Sequence, residues 1–516
     1  MRQNLLLPNI QRWTDEQGPV VRLEHITQKF GDKLVLDDLS LDIPVGKTTV
    51  IIGESGSGKS VLIKTMNGLL KPTAGKCMLF GKNTGECSIP ELNALRMRTG
   101  TILQDYALID SSSVYENIAF PVVENIKISD SEMRKRVEEA LEPLGLTDAI
   151  DKYPYELSGG MKKRVSFARA TIHQPELVFF DEPTTGLDPL MIVFVDNMIK
   201  ELRKRYDMTS VIISHDIQSI FRLADRVAYL HGGKIIFQGS LEDIRNTQIP
   251  EVRRFFDSSN KANKTINHVE GKPYVQVRDL YKSFSGKPVL KGVTLDVPRR
   301  KITVIIGGSG SGKSVLLKNI LGLFVPDSGT VNVNGLELTK CTEREREEMR
   351  TRIGMLFQGA ALFDSMTVEE NVAFPLAERL HPIPANEIRD RVAEMLERLK
   401  ISNIAKAYPS GISAGQRKRV GLARAIITKP ELMIYDEPTT GQDPIMIRYV
   451  DDMILEAHDA FELTTIVISH DMVSTFRIAD QIAMVYEGVI AARGTPEELM
   501  ASDHPQVQKM IRAQIQ

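Results

Sequence analysis

Cysteine is scarce in this chain of 516 residues, which contains only Cys77, Cys87 and Cys341. Their separation fits neither a disulfide framework nor the ligand spacing of a cysteine-bound metal site. Small secreted scaffolds held together by disulfides are therefore excluded, and a reducing compartment is favoured.

Long apolar runs and an excess of one charge are also missing. No apolar stretch reaches 18 residues, so no membrane-spanning helix is predicted. The first twenty residues hold only the short run Leu5-Leu6-Leu7, and no signal peptide is predicted there. The net charge is −2, from 65 basic and 67 acidic residues, whereas nucleic-acid-binding domains are markedly basic. We expect no nucleic-acid partner.

The sequence does contain a long internal repeat. The segment GESGSGKS at 53–60 returns as GGSGSGKS at 307–314, and the same motifs follow each copy in the same order. A repeat held over half a chain indicates a duplicated domain, since solenoid repeats have periods of about 20 to 50 residues. The length of the chain also suits two domains better than one core.

The repeat predicts four segments: an N-terminal arm (1–19), a first domain (20–256), a polar linker (257–272) and a second domain (273–516). Within each domain short apolar runs alternate with helical patterns, which predicts an α/β fold with a mostly parallel sheet. Residues 106–156 and 360–411 are predicted to form a helical subdomain in each half. The predicted strands are 48–52, 177–180 and 211–213 in the first half and 303–306, 432–435 and 466–468 in the second; helices are predicted at 61–70 and 315–323.

The glycine-rich segments each lie between a predicted strand and a predicted helix. Backbone N–H groups of such a loop surround a phosphate, and the helix N-terminus adds positive partial charge. Lysine at the end of the motif reaches the β- and γ-phosphates, and the following serine ligates Mg²⁺. The predicted nucleotide-binding residues are Gly53, Gly56, Ser57, Gly58, Lys59 and Ser60, and Gly307, Gly310, Ser311, Gly312, Lys313 and Ser314.

Acidic residues and histidines follow the later strands in matched positions. Asp181 and Asp436 end apolar strands, where a carboxylate supports a metal ion. The adjacent Glu182 and Glu437 are predicted to direct the attacking water. His215 and His470, in matching places after the next strand, are predicted to contact the γ-phosphate.

These motifs resemble the ATPase domains of ABC-type transporters. The resemblance covers nearly the whole chain and includes the signature loops Leu157-Ser158-Gly159-Gly160-Met161 and Ile412-Ser413-Ala414-Gly415-Gln416. It implies ATP and Mg²⁺ as cofactors and ATP hydrolysis as the activity. It also implies that Gln104 and Gln358 act in catalysis and in metal binding, and that Phe30 and Phe284 stack on adenine.

In that family two domains pair head to tail, with ATP held between them. The resemblance implies that Lys59 and Glu182 work with Ser413, and that Lys313 and Glu437 work with Ser158. Whether the pairing occurs within one chain or between chains stays open.

The second signature loop has Ala414 in place of glycine. If that backbone needs a positive φ, alanine costs about 1–2 kcal/mol there. The resulting hypothesis is that the ATP site built on Lys59 hydrolyses ATP more slowly than the site built on Lys313. It predicts that Glu437→Gln removes more ATPase activity than Glu182→Gln.

Within the ABC family, both halves resemble the ATPase of the Mla and MCE-type lipid transport systems (MlaF/Mkl-like). The resemblance is carried by residues 356–368 and 370–376, with looser counterparts at 107–110 and 116–121, and by 157–164, 441–444, 250–252 and 505–507. It implies a peripheral protein on the cytoplasmic face of the inner membrane. Its partners would be an integral-membrane, MlaE-like permease and an MCE-domain lipid-binding protein.

Two other functions fit a tandem ATPase of this length. One is the ATPase of a sugar importer, in which the second half is usually the more altered; here both halves keep lysine, glutamate and histidine. The other is a soluble ATPase acting on ribosomes, whose domains are joined by a long, charged helical linker. Neither the cargo nor the direction of transport can be read from the chain, since the ATPase does not touch the cargo.

Overall fold

A computed structural model of the chain describes residues 11–103, 106–257, 272–378 and 383–514. The chain splits into two compact units, one built mainly from residues before 258 and the other mainly from residues after it. Nearly all of the predicted linker, and residues 1–10 of the predicted arm, lie outside the described residues. The domain boundaries stay predictions. No helix in the described ranges combines the length and the apolarity that a bilayer crossing needs.

Ten strands and nine α-helices are described in the first half of the chain. The strands are β1 (Val21–Phe30), β2 (Lys33–Ile43), β3 (Thr48–Ile52), β4 (Ala74–Leu79), β5 (Lys82–Asn83), β6 (Thr99–Ile102), β7 (Leu177–Asp181), β8 (Thr209–Ile213), β9 (Arg226–His231) and β10 (Lys234–Gly239). The helices are α1 (Lys59–Met66), α2 (Ile89–Arg96), α3 (Val114–Val123), α4 (Asp130–Leu141), α5 (Gly159–Thr171), α6 (Pro189–Tyr206), α7 (Ile217–Leu223), α8 (Leu241–Asn246) and α9 (Pro250–Asp257). Short 3-10 helices lie at Asp15–Gln17, Glu142–Leu144, Thr147–Ala149 and Pro154–Glu156.

The second half repeats this order of elements. Its strands are β11 (Val275–Phe284), β12 (Lys287–Val297), β13 (Ile302–Ile306), β14 (Ser328–Val333), β15 (Leu336–Glu337), β16 (Ile353–Leu356), β17 (Leu432–Asp436), β18 (Thr464–Ile468), β19 (Gln481–Tyr486) and β20 (Val489–Gly494). Its helices are α10 (Lys313–Ile320), α11 (Glu343–Arg350), α12 (Val368–Ala377), α13 (Ala385–Arg398), α14 (Ala414–Ile426), α15 (Pro444–Ala460), α16 (Met472–Ile478), α17 (Pro496–Met500) and α18 (Pro505–Gln514), with 3-10 helices at Ser402–Ile404 and Pro409–Gly411.

Each unit contains a six-stranded sheet and a separate four-stranded sheet. The main sheets have the orders β10-β9-β3-β8-β7-β6 and β16-β17-β18-β13-β19-β20, parallel except for the antiparallel pairs β9–β10 and β19–β20. The predicted α/β fold with a mostly parallel sheet is confirmed. The central strands β3 and β13 are buried along their whole length, as expected for a parallel sheet covered on both faces.

The four-stranded antiparallel sheets, β2-β1-β4-β5 and β12-β11-β14-β15, were not predicted. Their long strands alternate buried and exposed residues only imperfectly, because β-bulges shift the register within β1 and β11. One face of each sheet packs into a hydrophobic core. In the first unit that core includes Leu23 and Ile26 of β1, Ile51 of β3 and Leu62 of α1.

The helices after the glycine-rich loops begin and end earlier than predicted. Helix α1 starts at Lys59 and stops at Met66, and α10 starts at Lys313 and stops at Ile320. Each is followed within two residues by a left-handed glycine, Gly68 (φ +68°) or Gly322 (φ +65°). A glycine in this conformation is a common helix C-terminus, and it stops both helices short of the predicted ends.

Candidate functional site

The parallel registers bring three chain segments of each unit together at one edge of the main sheet. In the first unit Ile51 pairs with Ile213, and Asp181 lies opposite Ile213 on its other side, so that β3, β8 and β7 end side by side. The glycine-rich loop, the Asp181-Glu182 pair and His215 follow these strands directly. In the second unit Asp436 lies opposite Ile468 in the same way. Such an edge is where ligands bind in open α/β sheets.

The loop of the first unit depends on glycines at its close approaches. Gly53 has φ +153°, and a Cβ there would lie 2.3 Å from the carbonyl oxygen of Leu230. Gly58, with φ +104°, precedes α1 without a side-chain cap, so the first N–H groups of the helix face the loop. Lys59 Nζ donates to the carbonyl oxygens of Gly53 (2.9 Å) and Glu54 (2.8 Å).

The loop of the second unit has the same construction. A Cβ on Gly307 would lie 2.3 Å from the carbonyl oxygen of Val485, and Gly312 has φ +108°. Lys313 Nζ donates to the carbonyl oxygens of Gly307 (2.8 Å) and Gly308 (3.0 Å). Burial lowers the pKa of Lys313 although the carboxylate of Glu437 opposes this. Both lysines are held within their own loops.

The glutamates are fixed by a hydroxyl and an imidazole. Thr185 Oγ1 donates to Glu182 Oε2 (2.9 Å), and His215 Nδ1 lies 3.5 Å from Glu182 Oε1. In the second unit Thr440 Oγ1 donates to Glu437 Oε2 at 3.1 Å. His470 Nδ1 lies 3.6 Å from Glu437 Oε1. The structure therefore brings the predicted glutamate and histidine together in each unit.

Both glutamates have a left-handed backbone, with φ +52° at Glu182 and +49° at Glu437. This conformation is strained for a residue with a Cβ, and such strain is often found at active sites. It is held in place by the Glu182 N–H, which donates to Ile213 O (3.1 Å), and by the Glu437 N–H, which donates to Ile468 O (2.9 Å).

The carboxylates of each Asp-Glu pair differ in acidity. Burial, followed by the neighbouring charge of Glu182, raises the pKa of Asp181, against a hydrogen bond from Ser60. Burial also acts to raise the pKa of Glu182, but the hydrogen bonds from His215 and Thr185 outweigh it and the pKa is lowered. In the second unit the hydrogen bond from His470 is the largest cause of the lowered pKa of Glu437, and burial raises that of Asp436.

The predicted adenine-stacking rings lie at strand ends. Phe30 ends β1 and is 50% exposed, and Phe284 ends β11 and is 40% exposed. Phe284 also contacts Phe324 edge to face, with ring centroids 5.3 Å apart. Rings of this size left in solvent at matched positions are available to stack on a planar ligand.

The structure describes one of the two predicted glutamines. Gln104 lies outside the described residues. Gln358 is exposed just after β16, and its carbonyl oxygen accepts a hydrogen bond from Lys418 Nζ (2.6 Å). The same ammonium group donates to the carbonyl oxygen of Pro438, next to Glu437 (2.6 Å). Lys418 thus connects the segment at Gln358 to the segment that follows β17.

Each signature serine caps a helix. Ser158 Oγ accepts from Met161 N at the start of α5, and Ser413 Oγ accepts from Gln416 N at the start of α14. No hydrogen bond within the described part of either unit joins these serines to the glycine-rich loop of that unit. Gly159, Gly160 and Gly415 form the first turns of the same two helices, α5 and α14.

The premise of a strained Ala414 is wrong. Neither Ala414 nor the glycines of the signature loops have a positive φ, because they form the first turn of helices α5 and α14. A Cβ added to the matching Gly159 would meet no heavy atom closer than the Tyr106 hydroxyl at 4.0 Å. The backbone penalty that motivated a slower first site does not exist.

Two pairs of residues were missed by the sequence analysis. Thr185 and Thr440, which orient the glutamates, stand in the repeated segments DEPTTG at 181–186 and 436–441, so their matched spacing was the available signal. Lys163 and Lys418 stand in the basic runs 162–164 and 417–419, a pattern typical of a solvated surface. Both are buried, and burial lowers the pKa of each to about 8.

Comparison with known proteins places this geometry in a family. The model of the ABC transporter family matches residues 36–185 and 290–440. A Vibrio vulnificus protein described as an ABC transporter ATP-binding protein is 31% identical, over 86% of this chain and 83% of its own length. The nucleoside import ATP-binding protein NupA of Lactococcus lactis is 27% identical, over 93% of this chain and 96% of its own length. A solved ABC transporter component of Clostridium perfringens has a TM-score of 0.43 and 29% identity, and it covers 47% of this chain and 94% of its own.

The residues at both loops fit the nucleotide that this family implies. The hydroxyls of Ser57 and Ser311 are buried in the glycine-rich loops without a hydrogen-bond partner among the described residues, as expected for groups that bond a phosphate. ATP supplies the phosphoanhydride bond whose cleavage releases free energy, and the backbone amides and lysine ammonium groups of the two loops would hold its phosphates. The chain belongs to the ABC transporter family and is an ATP-hydrolysing, ATP-binding subunit with two cassettes.

Proposed function

We propose that this ATPase energises the transport of phospholipid across the bacterial envelope, through a separate MCE/Mla-type permease. In this proposal the chain binds a MlaE-like permease peripherally on the cytoplasmic face of the inner membrane, and an MCE-domain protein handles the lipid. Head-to-tail pairing of the cassettes stays a prediction of the family resemblance, as do the roles given to the signature loops.

Within each site we propose a role for every residue of the cluster. Ser60 and Asp181, with Gln104, would hold Mg²⁺, and Ser314, Asp436 and Gln358 would do so in the second site. The hydroxyl of Ser60 already bonds Asp181, whose pKa is raised by burial and by the charge of Glu182. A site in which two carboxylates repel each other suits a divalent cation. Glu182 and Glu437, ionised and oriented by threonine and histidine, would act as general bases toward the attacking water.

The proposal of a membrane partner rests on one loop that is built alike in both units. Asn371 is fully buried, its Oδ1 accepts from Phe363 N (2.8 Å), and its Nδ2 donates to Phe363 O, Met366 O and Thr367 O at 3.0–3.1 Å. Asn117 bonds Ile109, Ser112 and Ser113 in the same pattern at 2.8–3.0 Å. One buried amide therefore fixes the shape of each loop.

These fixed loops present apolar side chains to solvent. Phe363 is 41% exposed beside Phe374, with ring centroids 4.7 Å apart, and Phe357 is 44% exposed. In the first unit Ile109 and Phe120 are exposed in the same region of the chain. Large apolar groups held in water by a rigid loop favour a binding surface for an apolar partner. The resemblance to the lipid transport ATPases lies in this stretch, at residues 356–376.

Affinity purification of the tagged chain from detergent-solubilised membranes of its source tests the proposal. We expect a permease and an MCE-domain protein to copurify in amounts close to the chain, and phospholipid to raise the ATPase rate of the complex. Recovery of a permease with a sugar- or nucleoside-binding protein instead would contradict the lipid proposal.

Two matched variants of the second unit test whether the loop held by Asn371 is responsible for copurification of the permease. Phe363→Ser removes an exposed ring from the loop, and we expect at least about a tenfold loss of copurified permease, as for a central interface aromatic. Val489→Ser changes an exposed apolar residue on β20 and serves as the control. Equal recovery with both variants would show that this loop does not carry the partner.

Import of nucleosides is a second candidate. It is favoured by the similarity to NupA, which extends over 93% of this chain and 96% of that protein. This candidate belongs to the same class as the sugar importer considered from the sequence. Stimulation of the purified complex by a nucleoside and its binding protein, without any response to phospholipid, would support it.

A further inference from the structure

The first unit contains a cavity of about 540 Å³ at the end of its main sheet opposite the glycine-rich loop. It is lined by the C-terminal turns of α6 and α7 and by Thr48, the first residue of β3. The glycine-rich loop follows Ile52 at the other end of the same strand, so the cavity is separate from the ATP site. Its volume is in the range of pockets that hold small molecules.

Basic residues dominate the charge around this cavity. Arg203 is neutralised by Asp225 (2.8 Å), and Arg222 pairs with Asp196 on α6 (2.7 Å). The remaining acid, Asp207, faces Arg12 at 3.9 Å. Lys200 and Lys204 also line the cavity, and neither side chain forms an ion pair or hydrogen bond with any residue in the described ranges. Two exposed positive charges are thus left without a counter-charge among the described residues.

The two lysines lie on one face of α6, because they are four residues apart. Like charges at this spacing destabilise a helix. Lys204, in the last turn, complements the carbonyl end of the helix dipole, but Lys200 lies one turn earlier and gains little from that effect. The helix dipole thus accounts for Lys204 but not for Lys200.

The repeat provides an internal comparison for this cavity. The positions of Lys200, Arg203 and Lys204 are taken in the second unit by Leu455, His458 and Asp459 on α15. Gly46 also lines the cavity, and its counterpart in the second unit is Arg300. The nucleotide-binding motifs agree closely between the halves, whereas this basic lining is present in only one of them.

We propose that this cavity binds a small phosphate-bearing anion with two or more negative charges, held by Lys200 and Lys204. The ligand neutralises both ammonium groups, and charge-assisted hydrogen bonds from ammonium to phosphate are stronger than those between neutral groups. Helix α6 begins next to the segment that carries Glu182, and α7 begins two residues after His215. Occupancy of the cavity therefore acts on the two helices that lead to the first ATP site.

Isothermal titration of the full-length chain with inorganic pyrophosphate tests the proposal. Both ATP sites are first saturated with a non-hydrolysable ATP analogue, and magnesium is kept in excess of all phosphates. We expect one pyrophosphate per chain, and a loss of affinity of at least about tenfold in the double variant Lys200→Leu/Lys204→Asp, which carries the residues of the second unit.

The double variant Lys127→Leu/Lys135→Asp makes the same change of charge at exposed positions of the first unit and serves as the control. Thermal unfolding of both variants verifies that they fold. Cosedimentation with vesicles containing phosphatidylglycerol distinguishes the two sources of phosphate: binding of vesicles through Lys200 and Lys204, without binding of pyrophosphate, assigns the site to a lipid headgroup. The absence of saturable binding to either probe, or equal losses in both double variants, would overturn the proposal.

Discussion

The left-handed backbone of Glu182 and Glu437 is the most unusual feature of the site at the scale of single residues. Such a conformation costs about 1–2 kcal/mol for a residue with a Cβ. In both units it is stabilised by a backbone hydrogen bond to the neighbouring strand and by side-chain bonds from threonine and histidine. In each unit the carboxylate lies beside its histidine, and in the proposed role of general base it would face the attacking water in ionised, oriented form.

Replacing either glutamate tests whether the two sites are equivalent. The threonine bonds differ by 0.2 Å and the histidine distances by 0.1 Å between the units (2.9 and 3.1 Å; 3.5 and 3.6 Å). We therefore expect Glu182→Gln and Glu437→Gln to lower ATPase activity by the same fraction, and the double variant to lose about 100-fold or more. Steady-state ATPase assays with nucleotide binding measured in parallel decide this. A several-fold larger loss in one single variant would contradict it.

The histidine contact predicts a change in pH dependence. The hydrogen bond from His470 is the main cause of the lowered pKa of Glu437, so His470→Leu raises that pKa toward the ordinary value of about 4.3. The glutamate must be ionised to act as a base. We therefore expect the acidic limb of the pH–rate profile to move to higher pH. The profile is measured in a Glu182→Gln background, where only the second site turns over.

The same contact contributes to stability with a defined sign. Because the folded pKa of Glu437 is lowered, its contribution is present above the ordinary glutamate pKa and is lost as the pH falls through the folded value. His504→Leu, at a histidine outside the site, is the matched control for both measurements. An unchanged acidic limb in His470→Leu would show that the imidazole does not set the acidity of Glu437.

Residues of this site could be found from the sequence where the chemistry needs a particular side chain at a particular spacing. Lys59, Asp181, Glu182 and His215 were predicted in this way, and the structure brings them to one sheet edge. The positive φ of Glu182 could not be predicted, because it depends on a hydrogen bond to Ile213, more than 30 residues away. The helical backbone of Ala414 was missed for a related reason: a serine N-cap leaves the next residue in the first turn of a helix.

At the scale of elements, the loop before α12 depends on Asn371. Removing its amide in Asn371→Ala takes the bond partner from the Phe363 N–H and the Met366 carbonyl group, whereas the Phe363 and Thr367 carbonyl groups keep backbone donors; we expect a cost of at least about 2 kcal/mol of stability. Asn117→Ala is predicted to have the same effect on the first unit. Asn125→Ala is the control, because that exposed side chain makes a single bond to Pro121 O. Thermal or urea unfolding measures all three; equal midpoints would contradict the prediction.

Elements with a clear pattern were predictable, and their ends were less so. The buried strands Leu177–Asp181 and Leu432–Asp436 were predicted almost to the residue because four apolar residues precede an acid. The antiparallel sheets formed by β1, β2, β4 and β5 and by their counterparts were missed, since bulges interrupt the alternation on which strand prediction depends. The ends of α1 and α10 were set by Gly68 and Gly322, which the apolar pattern does not register.

At the scale of the whole molecule, the chain has a single tryptophan, and it reports on the first unit alone. Trp13 packs against Phe80 (centroids 6.2 Å apart), its Nε1 donates to Gly18 O (3.0 Å), and its backbone N–H donates to Glu176 (2.7 Å). We expect the two units to unfold as separate cooperative domains. Asn371→Ala should then lower a midpoint seen by circular dichroism while the tryptophan fluorescence midpoint stays unchanged. A joint shift of both signals would show that the units unfold together.

The duplication and the family were accessible from the sequence because the repeated motifs are long and specific. The proposed permease and lipid, and the cavity beside Lys200, could not be identified from repeated motifs of this kind. The cavity is formed by residues from β3, α6 and α7 that are far apart in the chain, and only folding places Thr48, Lys200 and Arg222 around one space. The proposed lipid cargo would leave no direct trace in an ATP-binding subunit that does not touch it.

The loops organised by Asn117 and Asn371 have a consequence for how the two halves can diverge. Each loop is held by an amide that lies within the loop's own helix and bonds only neighbouring backbone groups, so its outline does not depend on the identity of the outward-facing side chains. Substitutions at Ile109 or Phe363 therefore leave the scaffold intact. In the docking role proposed for these loops, a duplicated chain could adapt one face to a new membrane subunit and keep the other unchanged, and exchanging the two loops between the halves would be a direct way to engineer that choice.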